Sequence, residues 1–388
     1  MEEAADIIFF IFVIGGVFGI LQASGVIQAA IQKLLHTFRG SPTRLTVILM
    51  FVIGVLGSTL GMGEELIPLV PLFLIISREL GYDRFYGLSL VMLSADVGFA
   101  AATTNPFTVS VAQGIAELPL NSGIGFRVVF FLLAISLAIL YVLRYGRRIK
   151  KDPGARIMPD DHFHLEVTLD DAVAFNRRHG FILFLCASIF AFVLYAVQTM
   201  DWWMAEMGGG FLLMGMLTAA FSRMSLDETT RAFVKGMEEM VVAALVVGFA
   251  RGIQVVLQQG QILDTVIFSA ATLLQHMHRI AAAEGMLVFQ TILNFFIPSG
   301  SGQAAVTMPL MAPLADVLQL TRQTAVFAFT CGDGFSNSII PTSGVLMAML
   351  GLAEIPYEKW LRFVWPLFLQ LMALSALFLA IAVLINYR

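Results

Sequence analysis

Four carboxylates lie inside apolar stretches of this sequence, where charged side chains are rare. Glu64 and Glu65 are neighbours in one stretch, and Asp96 and Asp333 lie in two others. A charged side chain at mid-membrane depth costs roughly 2.5–3.5 kcal/mol on insertion scales, so it is a functional candidate by default. Carboxylates suit a cationic group, a sodium ion or a proton. We expect at least one of the four to contact a bound solute or a coupling ion; the coupling-ion candidates are Asp96, Thr104 and Asp333.

Two glycine-rich breaks interrupt the apolar stretches, one in each half of the sequence. The first reads Gly-Met-Gly-Glu-Glu from residue 61, and the second reads Pro-Ser-Gly-Ser-Gly-Gln from residue 298. A second, polar break follows each of them, at residues 103–106 and 336–343. Non-helical backbone survives at membrane depth only where it lines a cavity or is buried in protein. Paired interruptions in two halves therefore point to the binding site of a secondary transporter.

Glycines and neutral hydrogen-bonding side chains are concentrated at these four breaks. Glycine allows a tight turn and the close approach of a solute to the backbone. Small polar residues are also ordinary packing material between membrane helices, but four clusters together favour a binding site. The predicted substrate-binding residues are Ser58, Gly61, Gly63, Glu64, Glu65, Asn105, Pro106, Ser299, Gly300, Ser301, Gly302, Gln303, Asn337, Ser338, Thr342 and Ser343.

Arg251 is a basic residue well inside an apolar stretch. Its guanidinium could bind a substrate carboxylate through two parallel hydrogen bonds. A structural ion pair, or a side chain that extends to the membrane surface, suits the same position equally well. Arg251 is therefore a candidate carboxylate partner, and the sequence leaves both interpretations open.

Catalysis is the first alternative to transport, and the sequence argues against it. It contains neither a His-Glu-x-x-His zinc motif nor a Gly-x-Ser-x-Gly nucleophile turn. Two intramembrane aspartates invite comparison with an aspartyl protease, but their flanking residues differ from those of such enzymes. We expect no enzyme and no metal site. An ion channel is a second alternative, although an inverted repeat in one chain fits alternating access better.

The composition is that of a membrane protein. Hydrophobic residues make up 58% of the chain and charged residues 13%, with a mean hydropathy of +0.85. Soluble domains are about 45–50% apolar and about 25% charged. Several segments approach the roughly 20 apolar residues that span a bilayer. These observations predict an all-α polytopic membrane protein in the bacterial inner membrane, in contact with lipid, and no pattern suggests nucleic acid.

The basic residues predict the orientation of the chain. The polar stretch 147–178 is rich in arginine and lysine, which places this linker in the cytoplasm. The first half, residues 1–146, is then threaded as a hairpin at 44–77, a broken helix at 85–112 and a helix at 126–145. The second half, residues 179–388, has a hairpin at 284–318, a broken helix at 324–350 and a helix at 363–385. The halves run in opposite directions, which predicts an inverted-topology repeat with two re-entrant hairpins.

At these motifs the sequence resembles the YfcC-type transporters. They belong to the DcuC-like family of C4-dicarboxylate anaerobic carriers, within the ion transporter superfamily. The resemblance runs over essentially the whole chain. It is carried by residues 61–65, 98–108, 248–253, 299–309 and 332–344. Family members begin with a further hydrophobic helix. The first half also has fewer helices before its hairpin than the second, so we expect N-terminal helices to be missing here.

The resemblance implies more than the residues do. Related carriers form homodimers through a scaffold and carry a small-molecule substrate in a mobile transport domain, by an elevator motion. They use no cofactor beyond Na+ or H+ as a coupling ion. YfcC-type members are regarded as basic amino acid antiporters, and the wider family is named for dicarboxylates. The carboxylates at residues 64 and 65 favour amino acids, and basic ones first. Arg251 and the helix N-termini keep the C4-dicarboxylate alternative open.

Overall fold

A computed structural model describes residues 5–37, 41–158, 175–241 without 201 and 203, and 277–388, with a few single residues between 242 and 276. Every regular element in these ranges is helical, and they contain no strand. The all-α fold class is therefore confirmed. Arg251 and most of the apolar stretch around it, residues 242–259, lie outside the described residues.

The helices of the first part of the chain end and restart at the two predicted interruptions. In chain order they are α1 (Ala5–Ala23), α2 (Val26–Thr37), α3 (Pro42–Leu60), a 3-10 helix (Glu64–Leu69), α4 (Val70–Glu79), α5 (Arg84–Ala100), a π-helical turn (Pro106–Ser110), α6 (Val111–Ile115) and α7 (Ile124–Lys151).

The described helices of the second part repeat this order after three further helices. These are α8 (Arg177–Thr199), α9 (Met204–Ser222), α10 (Leu226–Glu239), α11 (Arg279–Asn294), α12 (Gly300–Val317), α13 (Arg322–Ser336), α14 (Gly344–Leu352) and α15 (Tyr357–Leu384). Of the described helices, α3, α7 and α15 are long and apolar enough to cross a membrane.

Four irregular segments separate these helices. We call residues 61–63 the first tip and residues 295–299 the second tip; residues 101–105 are break 1, and residues 337–343 are break 2. The first tip begins at Gly61, which has φ +70 and donates its N–H to Gly57 O, a left-handed helix end. Break 1 ends at Asn105, whose side chain accepts the N–H of Phe107 beyond Pro106. Gly61 thus ends α3, and Asn105 with Pro106 begins the π-helical turn.

The two halves pack in the same way around their broken helices. Helix α5 packs against α3, α4 and α7, and α13 packs against α11, α12 and α15. The closing helices also contact the first arm of each pair, α7 on α3 and α15 on α11. Helices α5 and α13 then pack against each other and join the halves into one core.

The short helices after the breaks are exchanged between the halves. Helix α6 packs against α12 of the second half, and α14 packs against α4 and the 3-10 helix of the first. This exchange is reciprocal, as a twofold relation between the halves requires. The membrane paths of the arms and the inverted topology stay predictions, as do the domain boundaries at residues 146 and 178.

Helices α1, α8, α9 and α10 form a second group with its own apolar cluster. Helix α1 packs closely on α10, because a Cβ at Gly15 would collide with the backbone of Gly236, and one at Gly19 would collide with Ala232 O. Glycine at these positions lets the two backbones approach. This group flanks the core that contains the tips and breaks.

Candidate functional site

A cavity of about 220 Å³ lies where both tips meet break 2 and the π-helical turn that follows break 1. Small-molecule sites in proteins are clefts of roughly 300–1,000 Å³ for drug-sized ligands, so this one suits a smaller solute. Its wall combines backbone, polar side chains and two phenylalanine rings. It is lined by Gly61, Met62, Gly63, Glu64, Asp96, Phe99, Phe107, Pro298, Ser299, Gly300, Ser301, Asn337, Thr342, Ser343, Gly344 and Val345.

The first tip is fitted against break 1. A Cβ at Gly61 would lie 2.8 Å from both Asn105 Cγ and Phe107 Cδ2, and closer still to Asn105 Oδ1. Real side chains do not approach so closely, so only glycine allows this contact. Gly63 has φ −142 and open space where its Cβ would stand. Of the two glycines, Gly61 therefore shapes the tip and Gly63 leaves room in the cavity.

The second tip ends in a capped helix start. Ser299 has extended backbone and its hydroxyl accepts the N–H of Gly302 at 3.3 Å, which begins α12. A Cβ at Gly300 would lie 2.6 Å from Thr108 Cγ2 and 3.4 Å from Asp333 Oδ2. This tip is therefore pressed between the π-helical turn of the first half and α13 of the second.

The backbone of break 1 is paired by its own half. The Ser58 hydroxyl donates to Ala101 O at 2.9 Å, and Ser58 O accepts the N–H of Thr103 at 2.9 Å. Thr104 donates its hydroxyl to Thr59 O at 3.1 Å. Arg127, only 1% exposed, donates to Thr103 O from two nitrogens. The guanidinium thus satisfies a carbonyl at the end of a helix, where positive charge is favoured.

Break 2 is paired in a corresponding way. The Asn294 amide donates to Asp333 O, Ser336 Oγ and Asn337 Oδ1 at 2.7–2.8 Å. Trp360 Nε1 donates to Ser338 O at 3.0 Å. Trp360 is the fourth residue of α15, as Arg127 is the fourth of α7. Each closing helix therefore supplies a buried donor, from the same position, to the break of its own half.

Several buried polar atoms near the cavity have no hydrogen-bond partner among the described residues. They are Asp96 Oδ2, Asn105 Nδ2, Thr108 Oγ1 and both carboxyl oxygens of Asp333. Asn105, Thr108 and Asp333 are each fully buried. A buried polar group without a partner is costly. Unpartnered atoms beside the two tips therefore mark a place where a ligand, an ion or a proton would be stabilised.

The cavity has an acidic character. Glu64 and Asp96 both line it, and no lysine, arginine or histidine of the described part of the chain does so. Two helices also begin at its wall: α12 after Ser299, and α14 after Ser343, whose hydroxyl accepts the N–H of Leu346. Helix N-termini favour negative charge. The site thus offers carboxylates for a cation and free backbone N–H groups for an anion.

The structure brings most of the predicted binding residues to this cavity and turns others toward the protein itself. Ser58, Thr104, Asn105, Pro106, Gly302, Gln303, Ser338 and Asp333 are not among the lining residues. The Gln303 amide, for example, donates to Gln290 O at 2.9 Å and to Gln290 Oε1 at 2.7 Å. The Glu65 side chain and Arg251 lie outside the described residues.

Some residues of the site went unnoticed in the sequence. The lining residues Met62, Phe99, Phe107 and Val345 are apolar, and nothing distinguishes them from packing residues. Asn294 is recognisable in the sequence, because it is a polar amide in the apolar stretch that ends just before the second tip. The sequence also contains a short internal repeat: Gly-Ile-Ala-Glu-Leu-Pro at 114–119 and Gly-Leu-Ala-Glu-Ile-Pro at 351–356.

Comparisons with known proteins agree with this architecture. The profile of the family described as "C4-dicarboxylate anaerobic carrier" matches residues 1–384. The chain is 35% identical over 372 residues to a protein of Escherichia coli K12 named "Putative basic amino acid antiporter YfcC", covering 92% of this chain and 74% of that protein. It is 30% identical over 389 residues to an uncharacterized protein of Haemophilus influenzae Rd, covering 98% of this chain and 76% of the other.

Two solved structures share the fold. One is the YdaH transporter of Alcanivorax borkumensis, with a TM-score of 0.52 and 16% identity over 97% of this chain and 85% of that one. The other is MtrF of Neisseria gonorrhoeae, described among antimetabolite efflux pumps, with a TM-score of 0.50 and 17% identity over 97% and 81%. Family and homologues are transporters and not enzymes, as the sequence predicts. The chain is therefore a membrane transport protein that belongs to the C4-dicarboxylate anaerobic carrier family.

Proposed function

We propose that the chain is a secondary active transporter of the inner membrane that carries amino acids, and basic ones first. The observation that carries this proposal is the charge of the cavity. Glu64 and Asp96 line it, and the described part of the chain contributes no basic side chain to it. A dianionic substrate there would face two carboxylates, whereas a cationic side chain would be attracted by both.

The helix starts at the cavity suit the other end of an amino acid. The α-carboxylate would accept N–H groups at the starts of α12 and α14, beside Ser301 and Gly344. Helix N-termini bind anions in this way. The α-ammonium and a basic side chain would then lie toward Glu64 and Asp96. The name of the Escherichia coli relative, a basic amino acid antiporter, supports the same substrate class.

Transport of C4-dicarboxylates is the second candidate. The two helix N-termini at the cavity favour it, as does the description of the family. It requires positive charge to offset Glu64 and Asp96, and Arg251 is the candidate for that role. Dicarboxylate transport would therefore depend on Arg251, whereas transport of basic amino acids would not.

Asp333 is our candidate for the coupling-ion site. Both its carboxyl oxygens are buried and unpartnered among the described residues, and Thr108 Oγ1 is a further unpartnered oxygen beside the same tip residue, Gly300. Oxygen ligands from carboxylates and hydroxyls suit a hard cation. Either Na+ or a proton would remove the cost of the buried charge. Asp96, with one unpartnered oxygen at the cavity wall, is the second candidate.

Alternating access would proceed by an elevator motion in a homodimer. The tips, breaks and exchanged helices pack around α5 and α13 as one core, whereas α1, α8, α9 and α10 form a second apolar group that contacts the core through α1. A core that contains the whole cavity can move as a rigid body against its surroundings. This division supports the proposal, and lipid would contact the exposed apolar side chains of α3, α7 and α15.

Uptake by proteoliposomes tests the substrate class. Labelled arginine and ornithine are compared with labelled succinate, in wild type and in Glu64→Gln, with exposed Glu358→Gln as the matched control. A charge-assisted contact is worth about 1.5–3 kcal/mol, so its loss should weaken arginine binding about 10- to 150-fold. Succinate uptake that depends on Arg251 and survives Glu64→Gln would refute the amino acid proposal in favour of dicarboxylates.

A second measurement tests the coupling ion. Asp333→Asn removes the charge while keeping the side-chain size, with exposed Asp227→Asn as its control. If Asp333 binds the coupling ion, uptake in Asp333→Asn loses its dependence on the sodium or proton gradient, while counterflow exchange of substrate persists. A variant that still responds to the gradient as the wild type does would contradict this assignment.

A further inference from the structure

Arg84 joins the first broken helix to the second half of the chain. It is the first residue of α5, and its side chain is 5% exposed. Its Nη1 donates to Ala353 O at 3.2 Å and to Glu354 O at 3.0 Å, and lies 3.5 Å from Glu354 Oε2. These acceptors belong to the end of α14. Arg84 therefore holds the far end of a helix whose start lines the cavity.

Arg322 makes the corresponding connection from the second half of the chain to the first. It is the first residue of α13, and its Nη1 donates to Ala116 O at 2.9 Å and to Glu117 Oε2 at 2.8 Å. These acceptors follow α6, the short helix after break 1. Arg322 also forms hydrogen bonds with Asp316 at the end of α12. Each half thus contributes an arginine that grips the exchanged helix of the other half.

The internal sequence repeat forms the two acceptors. Residues 114–119 and 351–356 end α6 and α14 with the same turn: Glu117 N donates to Gly114 O, and Glu354 N donates to Gly351 O. Leu118 and Ile355 complete the two turns by donating to carbonyls five residues earlier in the chain. The repeat therefore forms the same turn in both halves, and each copy binds the arginine of the other half.

The glutamates stand where a helix end favours glycine. Glu117 has φ 56 and Glu354 has φ 51, in the left-handed region. Glycine is the usual residue at this position because it carries no Cβ. A glutamate in both copies breaks a local rule, which is typical of residues with another role. Both carboxylates reach the arginine of the other half.

We propose that Arg84 and Arg322 are positioning residues, which fix the cavity wall by holding the far ends of α14 and α6. Helix α14 has nine residues, so the grip of Arg84 acts about 13 Å from the cavity, at 1.5 Å per residue. A helix fixed at its end cannot slide or rotate at its start. Arg84 therefore aligns Gly344 and Val345, and Arg322 aligns Phe107 through the π-helical turn and α6.

If each arginine positions only one part of the cavity wall, its replacement should affect a cysteine in that part and not one in the other part. A general loss of stability would affect both cysteines. In a background without Cys186 and Cys331, single cysteines are placed in the cavity wall as Val345→Cys or Phe107→Cys. Their rates of modification by a small, charged methanethiosulfonate reagent are measured in proteoliposomes without substrate. The result is independent of which substrate the protein carries, so its failure is distinct from failure of the proposed function.

The expected result is reciprocal. Arg84→Gln changes the rate at Val345→Cys about fivefold or more, which corresponds to ~1 kcal/mol at 1.4 kcal/mol per tenfold, and leaves Phe107→Cys within about twofold. Arg322→Gln does the reverse. Arg84→Lys, which keeps the charge and a donor, restores most of the wild-type rate at Val345→Cys.

A milder variant covers the case in which Arg84→Gln fails to fold. Glu354→Gly removes the carboxylate while keeping the left-handed turn and both carbonyl acceptors, and it should change the same rate in the same direction by a smaller factor. Arg223→Gly, at another left-handed residue that follows α9 in the second group of helices, is the control and should change neither rate. Equal changes at both cysteines would show a merely structural role. Unchanged rates at both would show no positioning, and either result overturns the inference.

Discussion

Replacing Gly61 by alanine tests the contact between the first tip and break 1. Two costs add at this position. The left-handed backbone, with φ +70, costs an alanine roughly 1–2 kcal/mol. The new methyl group would overlap Asn105 and Phe107, and overpacking of this kind costs about 1–3 kcal/mol. The loss of chain freedom in the unfolded state offsets about 0.4–1 kcal/mol, so we expect a net destabilisation of about 2–4 kcal/mol.

The first assay is thermal unfolding of the purified protein in detergent. Substrate binding is measured afterwards. At about 2 °C per kcal/mol, the low end for larger domains, the expected fall in melting temperature is about 4–8 °C. Gly125→Ala is the control, because Gly125 lies in helix α7, whose backbone suits alanine, and its Cβ meets open space. It should melt close to the wild type. Equal melting temperatures for both variants would refute the argument that Gly61 is fitted against Asn105.

Three further changes test the pairing of the breaks and one helix cap. Asn294→Leu removes the amide that donates to Asp333 O, Ser336 Oγ and Asn337 Oδ1, where α13 runs into break 2, and should cost at least about 1–3 kcal/mol in thermal unfolding; an unchanged melting temperature would contradict this role. Trp360→Phe keeps an aromatic ring but removes both the donor to Ser338 O and part of a fully buried indole, so we expect a loss at least as large, whereas Trp365→Phe, at a residue 45% exposed, should have little effect. Ser225 caps α10 and its hydrogen bonds hold the pKa of Glu228 below its usual range. The stability from this pair is present above the ordinary glutamate pKa and is lost as pH falls through the lowered value. Ser225→Ala should therefore lower the melting temperature at about pH 7 and have less effect at about pH 3; an equal effect at both would count against the capping argument.

The interruptions of the chain were readable from sequence because they depend on local chemistry. Glycine, proline and asparagine end helices through their own backbone preferences, so the tip at Gly61 and the break at Asn105 could be placed within a few residues. The two tips do meet at one cavity, with break 2 and the π-helical turn after break 1, as expected if exposed backbone must line a cavity. The all-α membrane fold followed from hydropathy alone.

The hydrogen-bond partners of individual side chains could not be predicted from the sequence. Ser58 and Gln303 look like binding residues in sequence, but they donate to Ala101 O and to Gln290. A hydroxyl or amide serves whichever acceptor the tertiary fold brings near, and sequence spacing does not specify that acceptor. The grips of Arg84 and Arg322 were hidden for the same reason, because each partner lies more than 200 residues away along the chain.

The exchange of short helices between the halves has a consequence for how the protein is made. Arg84 and its acceptor at Glu354 are separated by 270 residues. At a synthesis rate of about 5–20 residues per second, the guanidinium waits roughly 15–50 s for its partner. During that interval α4 and the 3-10 helix of the first half lack α14, against which they pack in the finished protein. The first half can therefore complete its packing only when the ribosome has nearly finished the chain.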